Sequence, residues 1–201
     1  MARTLAVALR ATAVTFVLTG LAYPLALTGI AQVLFPYRAN GSLVRDEHGN
    51  VVGSELIGQA FKNPAYFQPR PSAAGNDGFD ATSSGGSNLG PTSAKLRDRV
   101  NSDAAKLAAE NPDAQGPVPA ELVTTSASGL DPHLSPDAVR WQIPRVARAR
   151  NLDPRRVRGV VDALVEGRDL GFLGEPRVDV LLLNLALDRQ FGRPEAMAAA
   201  K

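Results

Sequence analysis

Residues 11–35 read ATAVTFVLTGLAYPLALTGIAQVLF, and this apolar stretch decides how the rest of the chain is organised. It holds 25 residues without Asp, Glu, Lys, Arg or His. A helix of about 20 apolar residues is enough to cross the hydrocarbon core of a bilayer. A cleaved signal peptide is the alternative, with Gly29-Ile30-Ala31 as its cleavage site, but the run exceeds the roughly 7–15 residues of a signal core. We therefore predict a retained membrane anchor over residues 11–36.

The charges beside this stretch predict its orientation. Arg3 and Arg10 precede it and no acidic residue does. Because basic flanks stay on the cytoplasmic side of a bacterial membrane, we predict a cytoplasmic tail over residues 1–10, one crossing of the inner membrane, and an extracytoplasmic domain over residues 37–201. Small residues and a proline kink let another helix approach closely. The anchor residues predicted to contact a partner are Gly20, Tyr23, Pro24 and Gly29.

Composition excludes several classes of function. The net charge of +2 comes from 22 basic and 20 acidic residues, and the two arginines before the anchor account for the excess. The remainder is neutral, so no nucleic-acid partner is predicted. The chain contains no cysteine, which excludes disulfides, thiol catalysis and cysteine-based metal sites. Its two histidines, His48 and His133, do not fall in a cluster of ligands at metal-binding spacing, so no metal site is predicted.

The remaining pattern predicts an α+β domain, in which a small antiparallel sheet packs against several helices. A β-hairpin is predicted from residues 41–44 and 50–53, with its turn at 48–50. An ordered loop over residues 63–91 follows, pinned by aromatic rings that a disordered linker would lack. Apolar spacing and capping residues predict four helices, which run from about 92 to 110, from 135 with a kink or break at Pro144, from 153 to 167, and from about 175 to 192.

A glycine-rich stretch, Ser84-Gly85-Gly86-Ser87-Asn88-Leu89-Gly90-Pro91, precedes the first of these helices. Such a loop can hold a phosphate with its backbone N–H groups, but this one lacks the Gly-Lys-Ser/Thr ending of a phosphate-binding loop. The favoured interpretation is a tight turn that needs positive φ angles. Gly85, Gly86, Ser87 and Asn88 are also predicted to contact a partner.

Residues 122–133, LVTTSASGLDPH, concentrate hydroxyl groups, a carboxylate and a histidine just before a helix cap. Three interpretations are open: contact with an anionic ligand or a partner, a Ser/His/Asp hydrolase site, and a loop whose side chains bond the backbone. The hydrolase is the weakest of them, because no Gly-x-Ser-x-Gly elbow is present and the Asp and His are too close in sequence. The candidate contact residues are Ser126, Ser128, Gly129, Leu130, Asp131 and His133.

An arginine-rich stretch follows, which could bind phosphate or acidic lipid. The favoured interpretation is that these arginines form a solvated face or pair with neighbouring groups. Its members are Arg140, Arg145, Arg148, Arg150, Arg155, Arg156 and Arg158.

Six segments occur in a distinctive order over nearly the whole chain. They are Gly53 to Gln59; Tyr66-Phe67 with Arg70-Pro71-Ser72; Ser84 to Pro91; Ser128 to Pro136; Arg145 to Arg150; and Gly174 to Val178 with Leu183 to Asp188. With the single N-terminal span, this set resembles the C subunit of the bacterial Kdp potassium-transporting ATPase. Two departures are visible: Asp179 stands where the family commonly has Asn, and residues 73–80 are idiosyncratic.

The resemblance implies a non-catalytic subunit with two protein partners, a channel-like subunit that selects potassium and a P-type ATPase that hydrolyses ATP. It implies a role in stabilising the assembly and as a catalytic chaperone that raises the ATP affinity of the pump. No cofactor of its own is implied, only ATP shared with the pump through residues 126–130, which are likened to the signature of ABC transporters. The predicted orientation disagrees, since ATP is scarce outside the cell. The alternative is a domain that caps or gates the potassium entrance without contacting nucleotide.

Overall fold

The computed structural model describes residues 1–46 and 49–194. The chain divides into two compact units, Met1–Val52 and Gly53–Lys201. The described residues combine an apolar N-terminal helix with further helices and two short two-stranded sheets. The predicted α+β class is therefore confirmed.

One long helix dominates the first unit. Helix α1 (Ala2–Thr15) continues through a π-helical segment, Phe16–Ala22, into helix α2 (Tyr23–Leu34). Over these 33 residues the apolar window has a mean hydropathy of 1.8 and is 0% buried, so the helix is long and apolar enough to cross a membrane. The predicted tail over residues 1–10 is part of this helix from Ala2 onward.

Pro24 accounts for the π-helical segment. Proline lacks an N–H and its ring crowds the carbonyl four residues earlier, which here belongs to Gly20. The helix widens before Pro24 and continues, as membrane helices do when local adjustments satisfy the freed backbone groups. Threonines assist nearby, since Thr19 Oγ1 donates to the Thr15 carbonyl and Thr28 Oγ1 to the Pro24 carbonyl, each at 2.8 Å.

A short helix, α3 (Pro36–Ala39), leads to the predicted hairpin. Its strands are β1 (Leu43–Arg45) and β2 (Val51–Ser54), which form one sheet. The Asp46 N–H donates to the Asn50 carbonyl at 2.9 Å and closes the connection. The hairpin is confirmed, and its predicted turn at 48–50 lies partly outside the described residues.

The described part of the second unit contains four α-helices and a short 3-10 helix, Ala120–Leu122. The α-helices are α4 (Ala94–Glu110), α5 (Pro136–Ala149), α6 (Pro154–Ala163) and α7 (Val180–Phe191). Each follows a residue whose side chain accepts a hydrogen bond from the first turn, which is how polar N-caps stabilise helices. The caps are Ser93, Ser135, Asp153 and Asp179. The sequence predicts a kink or a break at Pro144. Helix α5 passes through Pro144 undivided, so there is no break, and a kink stays a prediction.

The segment between α6 and α7 differs most from the sequence prediction. Helix α6 ends at Ala163 and not at Gly167, and α7 begins at Val180 and not near Glu175. A hairpin over residues 166–177 lies between them. Strand β4 (Val178–Asp179) then pairs antiparallel with β3 (His133–Leu134). The helical spacing of Val178 with the leucines was misleading, because pairing with β3 overrode local propensity.

The core of the second unit lies where α5 packs on α6 and α6 on α7. Its fully buried side chains include Leu134, Ile143, Val157, Leu183 and Leu187. Phe67 enters this core from the long loop and is 0% exposed, and the rings of Phe61 and Tyr66 pack against each other at 5.7 Å. The prediction of an ordered loop pinned by rings is confirmed for this part of it.

Candidate partner-contact site

The backbone around Phe67 is bonded by side chains of two helices. The Phe67 N–H donates to Asn184 Oδ1 at 2.8 Å, and Asn184 Nδ2 donates to the Phe67 carbonyl at 3.0 Å. Gln142 makes the same pair of bonds with Gln68, at 2.9 and 3.0 Å. Buried backbone N–H and carbonyl groups need hydrogen-bond partners, which a neighbouring strand often supplies. Here an amide side chain, which can both donate and accept, takes that role.

Two arginines with buried side chains bond the carbonyls of Ala65 and Tyr66, which come just before Phe67. Arg145 donates to the Tyr66 carbonyl at 3.1 Å and to Gln142 Oε1 at 2.7 Å, and burial lowers its pKa to about 10. Arg150 donates to the Ala65 carbonyl at 2.7 Å and pairs with Asp188 at 2.8 Å. We call the four side chains Gln142, Arg145, Arg150 and Asn184 the polar clamp.

Tyr66 completes this arrangement. Its hydroxyl donates to Asp188 Oδ2 at 2.8 Å, and the Arg150 guanidinium lies over its ring at 5.0 Å. Burial, followed by the hydrogen bond to Asp188, raises the pKa of Tyr66 to about 12. Three of the segments that carry the resemblance therefore meet in one buried polar cluster, and their role there is to fix the course of the loop.

Beyond the clamp, Arg70 connects the loop to the candidate contact residues. Its guanidinium donates to the carbonyls of Thr124 and Thr125, each at 3.4 Å, and to Asp131 Oδ2 at 3.3 Å. The Arg70 guanidinium, which lies beside the Ser126–Asp131 stretch, therefore already has three acceptors. A phosphate would have to compete with all three for the same guanidinium.

The glycine-rich stretch packs against the Ser126–Asp131 stretch. The Gly85 N–H donates to the Ser128 carbonyl at 2.8 Å, and Thr125 Oγ1 donates to Ser87 Oγ at 3.3 Å. A Cβ on Gly86 would lie 3.0 Å from the Ala127 carbonyl oxygen. Within the described residues, these two predicted contact regions are therefore partners of each other.

The predicted reason for the glycines is only partly right. In this stretch Asn88 has a positive φ of 49°, whereas Gly85 and Gly86 do not. Gly86 serves instead to let two backbones approach closely. A side chain on Gly85 would meet nothing within 4 Å.

The hydroxyl groups of Ser126 and Ser128 bond within their own loop. Ser128 Oγ accepts the Leu130 N–H at 3.1 Å and lies 3.3 Å from Ser126 Oγ, while the Gly129 N–H donates to the Ser126 carbonyl. The described bonds of the Ser128 hydroxyl lead to these neighbours and not to His133. The interpretation as a loop that bonds its own backbone is confirmed by these contacts.

Asp131 is the acidic group of this surface. The side chain of His133 lowers the pKa of Asp131, partial burial opposes this, and the His133 N–H, 3.0 Å from Oδ1, and Arg70 add to the lowering. Asp131 and Arg70 line a shallow, open depression of about 500 Å³ together with Leu56, Thr125 and Pro132. Ala127 and Ser128 are exposed at its edge. The geometry suits contact with a protein surface better than enclosure of a small molecule.

Within the arginine-rich stretch, Arg140, Arg148 and Arg150 pair with acids. Arg140 lies 2.9 Å from Asp162, and Arg148 pairs with Asp113. Arg145 and Arg150 belong to the polar clamp. Arg155, Arg156 and Arg158 are exposed on α6, where the Arg156 guanidinium lies over the Phe191 ring at 4.8 Å. The stretch therefore combines paired arginines with solvated ones, as favoured.

The predicted contact residues of the anchor all lie on the exposed surface of the long helix. Gly20 is in the π-helical segment, where a Cβ would lie 3.4 Å from the Phe16 ring, and Pro24 follows it. A Cβ on Gly29 would meet nothing within 4 Å, and Tyr23 is 63% exposed. A contact of these residues with another helix stays a prediction.

Sequence reasoning missed one exposed group, at the end of the 166–177 hairpin. Leu170, Phe172 and Leu173 are 83%, 68% and 50% exposed. We call these three side chains the apolar tip. The Leu170-Gly171-Phe172 sequence was the available signal, since a loop of about 3–5 residues that contains glycine can join the two strands of a hairpin.

Comparison with known proteins agrees with the resemblance seen in the sequence. The family model described as "K+-transporting ATPase, c chain" matches residues 5–189. The potassium-transporting ATPase KdpC subunit of Myxococcus xanthus is 66% identical over 192 residues, which are 96% of this chain and 90% of that protein. The subunit of the same name from Rhodospirillum rubrum is 56% identical over 191 residues, 95% of this chain and 98% of that protein. The chain therefore belongs to the KdpC family, the c chain of K+-transporting ATPases.

Proposed function

We propose that this chain is a non-catalytic accessory subunit that stabilises a potassium-importing ATPase complex. Its partners are a channel-like subunit that binds potassium and a P-type ATPase subunit. The observation that carries the proposal is the apolar helix Ala2–Leu34, whose apolar window is 0% buried, in a member of an ATPase subunit family. Such a helix in a subunit is suited to packing against other membrane helices.

The proposed location is the bacterial inner membrane, crossed once, with the N-terminus in the cytoplasm. The support is the charge flanking the apolar helix, where Arg3 and Arg10 precede the apolar run. The domain from residue 37 onward is then extracytoplasmic. Gly20, Tyr23, Pro24 and Gly29 are the proposed contacts with a partner helix.

Outside the membrane, we favour a domain that caps or gates the potassium entrance without contacting nucleotide. The contacts around Ser126–Asp131 support this choice. Hydroxyl and N–H groups of the loop are used within it, Arg70 is occupied by three acceptors, and the carboxylate of Asp131 is held ionised. A nucleotide triphosphate needs cations and free donors, whereas the guanidinium that lines this depression, Arg70, is already paired with Asp131.

The catalytic chaperone is the second candidate function. Its support is the exposure of Ala127 and Ser128 beside Gly129 on one surface loop. Azido-ATP photolabelling of the complex in sealed, oriented vesicles separates the two candidates. We expect no labelling of this chain from the cytoplasmic face. Labelling from that face would favour the chaperone and contradict the proposed orientation.

The membership of the complex is tested by co-purification. The tagged full chain is expressed with the channel-like and P-type subunits and purified in mild detergent, and its partners are identified by mass spectrometry. We expect both to co-purify, with no ATP hydrolysis by the chain alone. Gly29→Leu should weaken recovery because it fills an open helix surface, and Val33→Leu serves as the matched control on an exposed apolar position. Purification of the chain without partners would refute the proposal.

A further inference from the structure

Tyr23 places a polar group at the centre of the apolar helix. It is the middle residue of the 25-residue run over positions 11–35, so about 18 Å of helix separates it from either end of the run. The polar edges of the hydrocarbon core lie about 15 Å from the bilayer centre, which is beyond the reach of a tyrosine side chain. Membrane proteins concentrate tyrosine at those edges, where its hydroxyl group meets water. Tyr23 therefore does not serve as an interfacial anchor.

The hydroxyl group of Tyr23 also lacks a partner within the described part of this chain, and the residue is 63% exposed. Other polar side chains of the same helix are bonded. Thr19 Oγ1 donates to the Thr15 carbonyl at 2.8 Å, and Thr28 Oγ1 donates to the Pro24 carbonyl at the same distance. An unbonded hydroxyl group is costly in hydrocarbon, because water is not there to replace the missing hydrogen bond.

The surroundings of Tyr23 limit what can supply that bond. Lipid tails carry no hydrogen-bond acceptor, and lipid headgroups and water lie at the edges of the hydrocarbon core. Gly20, three residues earlier, is exposed and has no side chain to keep a second helix at a distance. A polar side chain on another membrane helix is therefore the acceptor that fits this depth.

We propose that the Tyr23 hydroxyl group donates a hydrogen bond to a polar side chain on a membrane helix of another subunit, near the middle of the bilayer. This inference rests on the proposed function, because it requires that the apolar helix cross the membrane beside a partner. It specifies what the partner presents, which is a neutral side chain with an accepting oxygen, of the Asn, Gln, Ser or Thr type. Side chains of these types form hydrogen bonds between helices in membrane proteins.

The first test removes only the hydroxyl group. The full chain carries a fluorophore on its single thiol, Ala2→Cys, and is titrated into mild-detergent micelles that hold the other subunits. We expect Tyr23→Phe to weaken binding about three- to twentyfold, as the loss of one hydrogen bond between membrane helices implies. Tyr37→Phe makes the same change beyond the apolar run, where water can replace a lost bond, and should bind as the wild-type chain does. Wild-type binding by Tyr23→Phe would overturn the inference.

The second test identifies what lies against Tyr23. The photoreactive residue p-azidophenylalanine, which resembles tyrosine in shape, is placed at position 23 of the full chain in the assembled complex. Light should link it to a membrane helix of another subunit, beside a side chain with an accepting oxygen. Linkage to lipid alone, to a second copy of this chain or to a helix without such a side chain would overturn the inference. If the wild-type chain binds none of the other subunits, the proposed function itself is refuted.

Discussion

Gly129 lies where three segments of the second unit meet. It has a φ of +68°, and a Cβ there would lie 2.5 Å from the Gly85 carbonyl oxygen and 2.8 Å from the Ala74 nitrogen. Both neighbours are backbone atoms, which cannot move aside as a flexible side chain would. Its place in the candidate stretch thus has a packing explanation independent of any ligand.

We predict that Gly129→Ala destabilises the folded chain by about 2 kcal/mol or more, through strain and steric overlap. Gly85→Ala, in open space at an ordinary φ, is the control and should change stability by less than about 0.5 kcal/mol. Thermal unfolding can be followed by fluorescence of Trp141, the single tryptophan, which is 8% exposed. Equal effects of the two substitutions would contradict this explanation.

Asp179 offers a test that depends on pH. Its carboxylate caps α7 by accepting the Leu182 N–H at 2.8 Å, and burial raises its pKa. A raised pKa in the folded state means that the folded chain binds the proton more tightly, so stability falls as pH rises from the unfolded value of about 4 through the folded one.

Asp179→Asn should keep the cap and remove this pH dependence, because asparagine caps as well as aspartate and stays neutral. We expect the variant to be more stable than the wild-type chain at pH 7 and to lose the decline above pH 4. Asp179→Ala, which removes the cap, should be less stable than the Asn variant by about 1 kcal/mol. Melting curves over a pH series measure both effects. A decline that persists in the Asn variant would assign it to another group.

At the scale of elements, the polar clamp joins the long loop to helices α5 and α7. Asn184→Leu leaves the N–H and carbonyl of Phe67 buried without partners, since Phe67 is 0% exposed. Unsatisfied buried groups are costly, so we predict a loss of about 2–4 kcal/mol. Asn101→Ala, on the exposed face of α4, is the control for loss of an asparagine. Unfolding in denaturant would show the difference, and a neutral Asn184→Leu would contradict the role of the clamp.

The elements also show what the sequence could predict. Helices α4, α5 and α6 begin as predicted because their caps, Ser93, Ser135 and Asp153, act within one turn. The 166–177 hairpin and the β3–β4 pair were missed because residues far apart in sequence form them.

The candidate site shows the same division. Residues 126–131 were recognised from composition, whereas their closure by Arg70 and the glycine-rich stretch depends on contacts about 40 to 60 residues apart in the chain. For the same reason, Arg145 and Arg150 of the polar clamp were recognised only as members of an arginine-rich stretch.

For the whole molecule, the orientation across the membrane is the decisive prediction. The chain has no cysteine, so a single introduced thiol is unique. In intact spheroplasts, a membrane-impermeant maleimide should label Ala127→Cys, which lies on an exposed loop, but label Ala2→Cys only after permeabilisation. The two variants control for each other, since they place the same thiol on opposite sides. The reverse pattern would invert the topology and remove the argument for an extracytoplasmic cap.

Amide and guanidinium side chains bond the backbone of residues 65–68, and these bonds limit how far the length of this segment can change. Each bond is made to one particular backbone position. Asn184, for example, bonds both the N–H and the carbonyl of Phe67. Adding or deleting a single residue here would shift every group past its partner at once. In a library of insertion and deletion variants, we therefore expect few folded variants with a change of length at residues 65–68. Residues 76–83 are mostly exposed, and we expect changes of length there to be tolerated.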